Sequence, residues 1–382
     1  MSINYSKIGD LFPDIKIGGT PSRGNPEFFG GSHLWVSIRD MNGKSVIYST
    51  SEKLTDSGVL HSNCKLILKG SLLFSFKLTV GRVAFAGENL YTNEAIAAFD
   101  PESAAIAEID LDYLSLVLPV AALKDSTKNS MGASLLNKDR INSLAIPHPT
   151  LDVQHQIATN LNIKFTEVET ARQALELQQQ EIVNLANAYI RESIEQSPVI
   201  ETRLGKVLEE VKKGVGETWA DYPVLGATRG GLAPAKEPPG KQPQRYKPVF
   251  CGTVFYNPMR ILIGSIAFVD DDDEPGITSP DYVALQGKAG LVDSRWFHYW
   301  LRSPYGEQCI NSLARGAVRE RMLFNRLAEG SILLPPYQEQ LRVSKALATI
   351  KPVKYAIQEQ LNDLNKIPER LLAQVFDPLS AQ

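Results

Sequence analysis

From Asp152 to Glu195, two columns of positions repeat every seven residues. One column holds Ile157, Lys164, Ala171, Gln178 and Leu185; the other holds Leu161, Val168, Leu175, Ile182 and Tyr189. Columns at alternating three- and four-residue steps are the a and d positions of a helix that packs lengthwise on another helix. The run predicts a helix on the order of 60 Å long, at 1.5 Å of rise per residue. A second run continues the same columns 186 residues on, as Val343, Ile350, Ile357, Leu364 and Leu371 with Leu347, Lys354, Leu361, Pro368 and Val375. Lys164, Gln178 and Lys354 place polar groups in the expected seam, where such groups fix register. Pro352 and Pro368 should weaken or kink the second helix, because proline lacks the backbone donor and clashes with the preceding turn. An ordinary pair of amphipathic core helices would show similar columns.

The same shift, give or take a few residues of loop variation, relates what precedes the helices. Pro149-Thr-Leu-Asp-Val-Gln154 is similar to Pro335-Pro-Tyr-Gln-Glu-Gln340, and each opens a heptad run. Gly70–Ser75 is answered by Gly252–Asn257, and Val80–Phe85 by Ile263–Phe268. These short apolar runs broken by glycine read as strands with turns or bulges. Thr92–Ile96 recurs near Thr278–Val283, and amphipathic stretches follow at Tyr113–Leu123 and Trp296–Leu301. The expected class is α+β: two mixed α/β domains at 1–146 and 201–332, with long helices at 147–200 and 333–382. Pairing those helices antiparallel relates the halves by a pseudo-two-fold, with Leu161, Val168, Leu175, Ile182 and Tyr189 meeting Val343, Leu347, Ile350, Ile357, Leu361 and Leu364.

Composition narrows the choice. The chain has 382 residues, 43% hydrophobic and 22% charged, which fits two folded domains rather than disorder. Its first ten residues are too polar for a secretory h-region and no run suits a membrane span, so a soluble cytoplasmic protein is expected. Cys64, Cys251 and Cys309 are far apart in sequence and read as buried free thiols. The net charge of −3 argues mildly against nucleic-acid binding. Location weakens that objection: residues 203–330 hold 17 Lys and Arg against 15 Asp and Glu, whereas 146–200 hold 3 against 7. Residues 1–145 hold 14 against 15, so DNA binding there needs clustering.

Catalytic motifs are missing. Asn257-Pro-Met-Arg260 lacks the second proline and the aromatic ring of the adenine-methyltransferase motif, and there is no G-x-G-x-x-G, Walker loop or H-E-x-x-H. The run Asp270–Glu274 fails as an EF-hand, with Pro275 at the fifth position and Tyr282 at the twelfth, and reads as a solvated hairpin. His33, His61, His148, His155 and His298 show no metal-ligand spacing. No metal or cofactor is expected on this chain.

Lys7-Ile-Gly-Asp-Leu11 with Gly18-Gly-Thr-Pro-Ser22, Trp35–Asp40, Ser75–Arg82 and the two Pro-x-x-x-x-Gln helix openings together carry a family likeness. In this ordered, duplicated set the chain resembles the specificity subunit of type I restriction-modification systems. The resemblance implies two target-recognition domains, each reading half of a split double-stranded DNA target. It also implies that two modification subunits dock on the helices and that restriction subunits complete the complex. Those partners bring S-adenosylmethionine, ATP and magnesium, and this chain is not an enzyme. The halves differ where reading would occur: Gly-Gly-Thr-Pro-Ser faces Lys212–Thr218, and Lys77 and Arg82 face Arg260 and Ser265. An asymmetric target follows, since target symmetry mirrors protein symmetry.

Base reading needs side chains that reach base edges, and cations to hold phosphates. The first half offers Lys16, Thr20, Ser22, Arg23, Arg39, Lys77, Thr79 and Arg82, and then Lys138 and Arg140. The second offers Arg229, Lys241, Arg245 and Arg260, with Arg315, Arg319 and Arg321 around a glycine as the strongest cluster. The competing reading is a two-headed scaffold that joins protein partners through its helices and reads no DNA; the charge balance favours it, and the paired loops favour DNA.

Overall fold

The computed structural model describes residues 4–125, 127–128, 134–314 and 321–376. It divides into two compact units, Met1–Arg172 with Asn362–Gln382, and Gln173–Leu361.

In the first unit a five-stranded sheet runs in the order Lys16–Ile17, Ile96–Phe99, Leu72–Ser75, Val83–Ala86, Val46–Ile47. Successive strand residues point to opposite faces. Leu72, Phe74, Ala97 and Phe99 therefore join one core cluster with Tyr113, Leu114 and Val117 of the helix Leu111–Asp125. Leu73, Ile96 and Ala98 join a second cluster with Val36, Met41 and Ile47. Burial on both faces explains why these strands are apolar without alternation. Tyr5–Lys7 pairs antiparallel with Ala145–Pro147, bringing the ends of the globular part together.

The second unit repeats the plan. Ile200–Arg203 pairs with Ser331–Leu334, and a four-stranded sheet runs Leu208–Glu210, Val283–Gly287, Val254–Tyr256, Ile266–Phe268. Val254 and Tyr256 face one cluster with Trp296 and Trp300, while Phe255, Ala267 and Ala284 face the other. The repeated glycines share a backbone conformation as well. Gly70 and Gly252 have φ of 85° and 83°, and Gly81 and Gly264 have 98° and 81°. That left-handed region costs other residues about 1–2 kcal/mol, so both turns keep glycine.

The Pro-x-x-x-x-Gln openings are hydrogen-bonded clasps. Gln154 is fully buried; its amide donates to Pro149 O (2.8 Å) and Glu108 O (3.0 Å), and its oxygen accepts from Asp110 N (2.9 Å). Gln340 donates to Pro335 O (2.9 Å) and Leu291 O (3.1 Å) and accepts from Asp293 N (3.0 Å). Asp110 and Asp293 in turn accept from Tyr113 N (2.6 Å) and Trp296 N (2.8 Å), so each clasp joins the start of a long helix to the start of a domain helix.

The first long helix is Leu151–Glu195 and the second Tyr337–Leu364. They pack together. In the second unit Ala186, Ile190 and Ile194, with Ile182 and Tyr189 against them, share a core with Val343, Leu347 and Ile350. The pairing is antiparallel, since Glu192 meets Arg342 at 4.0 Å while Gln179 donates to Gln358 at 3.3 Å. In the first unit Ala158 and Leu161 pack in one cluster with Leu371, Leu372 and Phe376. Val168 and Leu175 are half-buried, as is Leu364, while Ile357 and Leu361 are buried.

Two details depart from the heptad reading. Beside the Leu161 column, the buried or half-buried partners are Ala158, Phe165, Arg172, Gln179 and Ala186, one residue after Ile157, Lys164, Ala171, Gln178 and Leu185; of those, all but Ile157 are exposed. Both candidate columns mix polar with apolar residues, so periodicity alone does not choose between them. Pro352 lies inside the unbroken second helix, and the break falls after Leu364 instead. A new helix, Ile367–Phe376, then begins with Pro368 in its first turn, where the missing donor costs least. That helix returns to the first domain, with Phe376 edge-on to Tyr113 at 5.7 Å.

Candidate nucleic-acid interface

In the first unit the Gly18–Arg23 loop is fixed by close backbone packing. A Cβ on Gly18 would lie 2.1 Å from Thr92 O, and one on Gly19 2.8 Å from Asn63 C. The buried Trp35 indole donates to Gly19 O at 3.0 Å. The loop so held exposes Thr20, Ser22 and Arg23. The Arg23 guanidinium lies over Phe29 (4.7 Å) and Trp35 (5.1 Å) and makes a two-pronged pair with Glu52 at 2.5 and 3.0 Å. Hydrogen bonding to Arg23 holds Glu52 below the usual carboxylate range. Thr20 donates to Glu94, which also feels the charges of Lys77 and Arg23, and Arg39 acts on Glu52. Thr20, Arg23, Arg39 and Lys77 thus gather around two carboxylates.

The other first-half candidates lie at varying distances from this group. Lys77, Leu78 and Thr79 form a tight turn in which Leu78, with φ of 64°, is left-handed and exposed. Such strain persists only where surrounding structure enforces it, and it clusters at functional sites. Leu136 donates to Phe76 O at 2.9 Å, placing the chain that leads into Lys138 and Arg140 against the strand end before Lys77. Lys16 sits apart in an edge strand opposite Ala98, where it acts on Asp100. Arg82 is turned inward and donates to Ile38 O at 3.3 Å. Asp40 is buried; burial alone would raise its pKa, but hydrogen bonds from Ser37 and Ser51 hold it below the usual range, so it builds the loop.

In the second unit the corresponding edge is a hairpin, Leu225–Thr228 paired with Gly231–Pro234, with Arg229 exposed at its turn. One side lines a cavity of about 240 Å³ with Ile261–Gly264, Arg302 and Glu307. The other lines a cleft of about 550 Å³ with Tyr246, Asn257, Arg260, Ser279 and Tyr282. Exposed Arg260 and Arg229 therefore flank one hairpin. Arg321 is exposed, pairs with Asp281 at 3.0 Å, and neighbours this edge because Met322 N donates to Pro258 O at 3.0 Å. Arg245 donates to Gln242 at 3.1 Å in the same exposed loop as Lys241, near Tyr246, whose hydroxyl accepts from Gly240 N. Arg315 and Arg319 lie outside the described residues.

Several sequence readings change. The acidic run is no free solvated hairpin: Arg295 pairs with Asp270 and with Asp271 (2.8 Å), while Lys351 of the second long helix pairs with Asp272 and with Asp273 (2.9 Å). Lys354 does not face the partner helix; it donates to Gly230 O at 2.9 Å. Cys251 is exposed rather than buried, and its hydrogen bond to Asp271 pushes the thiol up to about 11. Glu52, Glu94 and Arg302 carry no sequence signal of an exposed basic edge, since two are acids and the third is half-buried. Only folding joins Thr20 to Glu94, 74 residues away. Among the described residues no group of three or more His, Cys, Asp or Glu could hold a metal, and no helix is long and apolar enough to cross a membrane.

Residues 3–179 match the family described as type I restriction modification DNA specificity domain. The MjaIX type I restriction enzyme specificity subunit of Methanocaldococcus jannaschii is 27% identical over 164 residues, covering 42% of this chain and 37% of the relative. The HindI specificity subunit of Haemophilus influenzae is 29% identical over 141 residues, covering 36% and 30%. The matches thus span about a third of these relatives' length. A solved structure described as the structural basis of complex assembly and conformational transition of the type I R-M system superposes with a TM-score of 0.64 over 98% of both chains, at 16% identity. That likeness extends the shared fold to the second unit, beyond the residues of the family match. Residues 3–179 are thus similar to the type I restriction modification DNA specificity domain, and the duplicated α+β scaffold shares its fold with a solved structure of the type I R-M system.

Proposed function

We propose that the chain reads a split, asymmetric double-stranded DNA target for a type I restriction-modification complex. Residues 1–146 form the first target-recognition domain and 201–332 the second, while 147–200 and 333–382 hold them and offer docking faces to two modification subunits. Restriction subunits complete the assembly; methyl transfer and cleavage, with S-adenosylmethionine, ATP and magnesium, belong to those partners. The observation that carries this reading is one scaffold used twice with unlike edges. The Gln154 and Gln340 clasps repeat bond for bond. The edges, by contrast, display Thr20, Arg23 and Lys77 in one unit, and Arg229, Arg260 and Arg321 in the other. The Glu94 carboxylate suits the first edge to a cytosine amino group, and arginines suit the second to guanine.

The test is to co-express the chain with its modification partner and map methylated positions in the host DNA. A two-part motif with unlike halves is expected. Methylation without a motif, or affinity for duplexes that does not fall as salt rises, overturns the reading, because phosphate contacts make binding salt-dependent.

A further inference from the structure

The Arg229 hairpin is a two-stranded ribbon, and such ribbons are marginal unless other groups fix them. Its strand residues Leu225 and Ala227 are buried, but its turn projects away from that core. Three side chains from three other elements grip carbonyls at or beside the turn. Ser265 Oγ donates to Ala227 O at 2.6 Å, Arg302 Nη2 to Arg229 O at 2.7 Å, and Lys354 Nζ to Gly230 O at 2.9 Å. Arg302 also donates to Gly264 O (3.2 Å) and Ile266 O (2.8 Å), joining the hairpin to the strand beside it. Among the described residues, neither Arg302 nor Lys354 has a carboxylate within ion-pair distance. Two largely buried cations that serve backbone carbonyls instead of acids are costly to desolvate, and charge-assisted bonds are the strong ones that offset such a cost.

We infer that Arg302 and Lys354 are positioning residues for DNA reading by the second unit: they set where Arg229 stands, and Lys354 references the hairpin to the second long helix. This rests on the proposed DNA reading. The side chains grip the backbone of the turn and leave the Arg229 guanidinium outside, so they act through Arg229 and touch no base. A small displacement of the hairpin then costs base discrimination in one half-target, while phosphate contacts elsewhere persist.

The experiment uses the assembled complex and duplexes carrying the mapped target, with single base changes in either half, across a salt series. Lys354→Met keeps the apolar stem and removes the ammonium; Ser265→Ala removes an independent grip; Lys354→Arg restores a donor. Both losses should reduce discrimination in the second half about tenfold, as each wrong base costs about 1–3 kcal/mol when the reader is in place. Discrimination in the first half and the salt slope should stay unchanged, and Lys354→Arg should recover most of the loss. A uniform loss on all duplexes with a slope smaller by about one means a direct phosphate contact and overturns the inference. Unchanged discrimination in both variants overturns it too. A wild-type complex with no base preference sinks the underlying DNA reading itself, which is a different failure.

Discussion

In the first unit the proposed reading loop is held from beneath by its own backbone: Gly18 and Gly19 press against Thr92 and Asn63 with no room for a Cβ. In the second unit the corresponding edge stands on a thin hairpin gripped by Ser265, Arg302 and Lys354. One position shows the change directly. Arg82 follows Gly81 as Ser265 follows Gly264, and each donates to a carbonyl of the neighbouring edge, Ile38 in one unit and Ala227 in the other. The scaffold keeps the task at that position and changes the side chain that performs it. A duplicated fold can therefore diversify its edge without disturbing its core, provided the anchoring groups sit outside both.

The strongest test of equivalence is the pair of clasps. Gln154→Ala and Gln340→Ala each strand a buried N–H and two carbonyls, so each should destabilise its own unit by about 2–4 kcal/mol. Unit-resolved hydrogen exchange or proteolysis should show similar losses; a large effect in only one unit breaks the comparison. Next come the turns. Gly81→Ala and Gly264→Ala should each cost about 1–2 kcal/mol from the left-handed φ. Only Gly264→Ala should also loosen base preference, because Arg302 bonds to the Gly264 carbonyl and to the hairpin alike.

How much of this was legible before folding depends on range. The heptads, the glycine-broken strands and the Pro-x-x-x-x-Gln openings are local patterns, and they outline the α+β repeat. Local pattern could not choose between Lys164 and Phe165 for the seam, since adjacent columns were equally mixed. It gave Lys354 to the helix seam, although the hairpin carbonyl it serves lies 124 residues earlier. The candidate cations are legible in the sequence, but their carboxylate partners and buried supports depend on long-range placement.

Acid separates the units more gently. In the second unit Lys351 holds Asp272 below the usual carboxylate range, and the Cys251 thiol and then Arg295 do so for Asp271. Depressed carboxylates add stability that is present above the unfolded-state pKa and disappears as pH falls through the lower folded-state value. Lys351→Met removes the Asp272 part, so the second unit should lose about 1 kcal/mol near neutral pH and depend less on pH below about pH 5. The first unit should respond to acid as before. Denaturation of each unit followed from pH 7 to pH 3 checks this, and an unchanged acid slope in the second unit counts against the ion cluster.

Arg23→Ala should have the smallest effect on stability, within about 0.5 kcal/mol, because its pair with Glu52 is largely exposed and such pairs contribute little. Its effect on DNA should nevertheless be clear and confined to the first half-target. In the free protein Glu52 occupies the guanidinium, so a phosphate or base must displace that carboxylate to be read. Glu52→Gln should then tighten binding slightly, and Arg23→Ala should weaken it, whereas the double variant should match Arg23→Ala alone. Additive effects in that cycle mean that the two side chains act independently on DNA, and the first edge is then a static surface rather than a pair exchanged on binding.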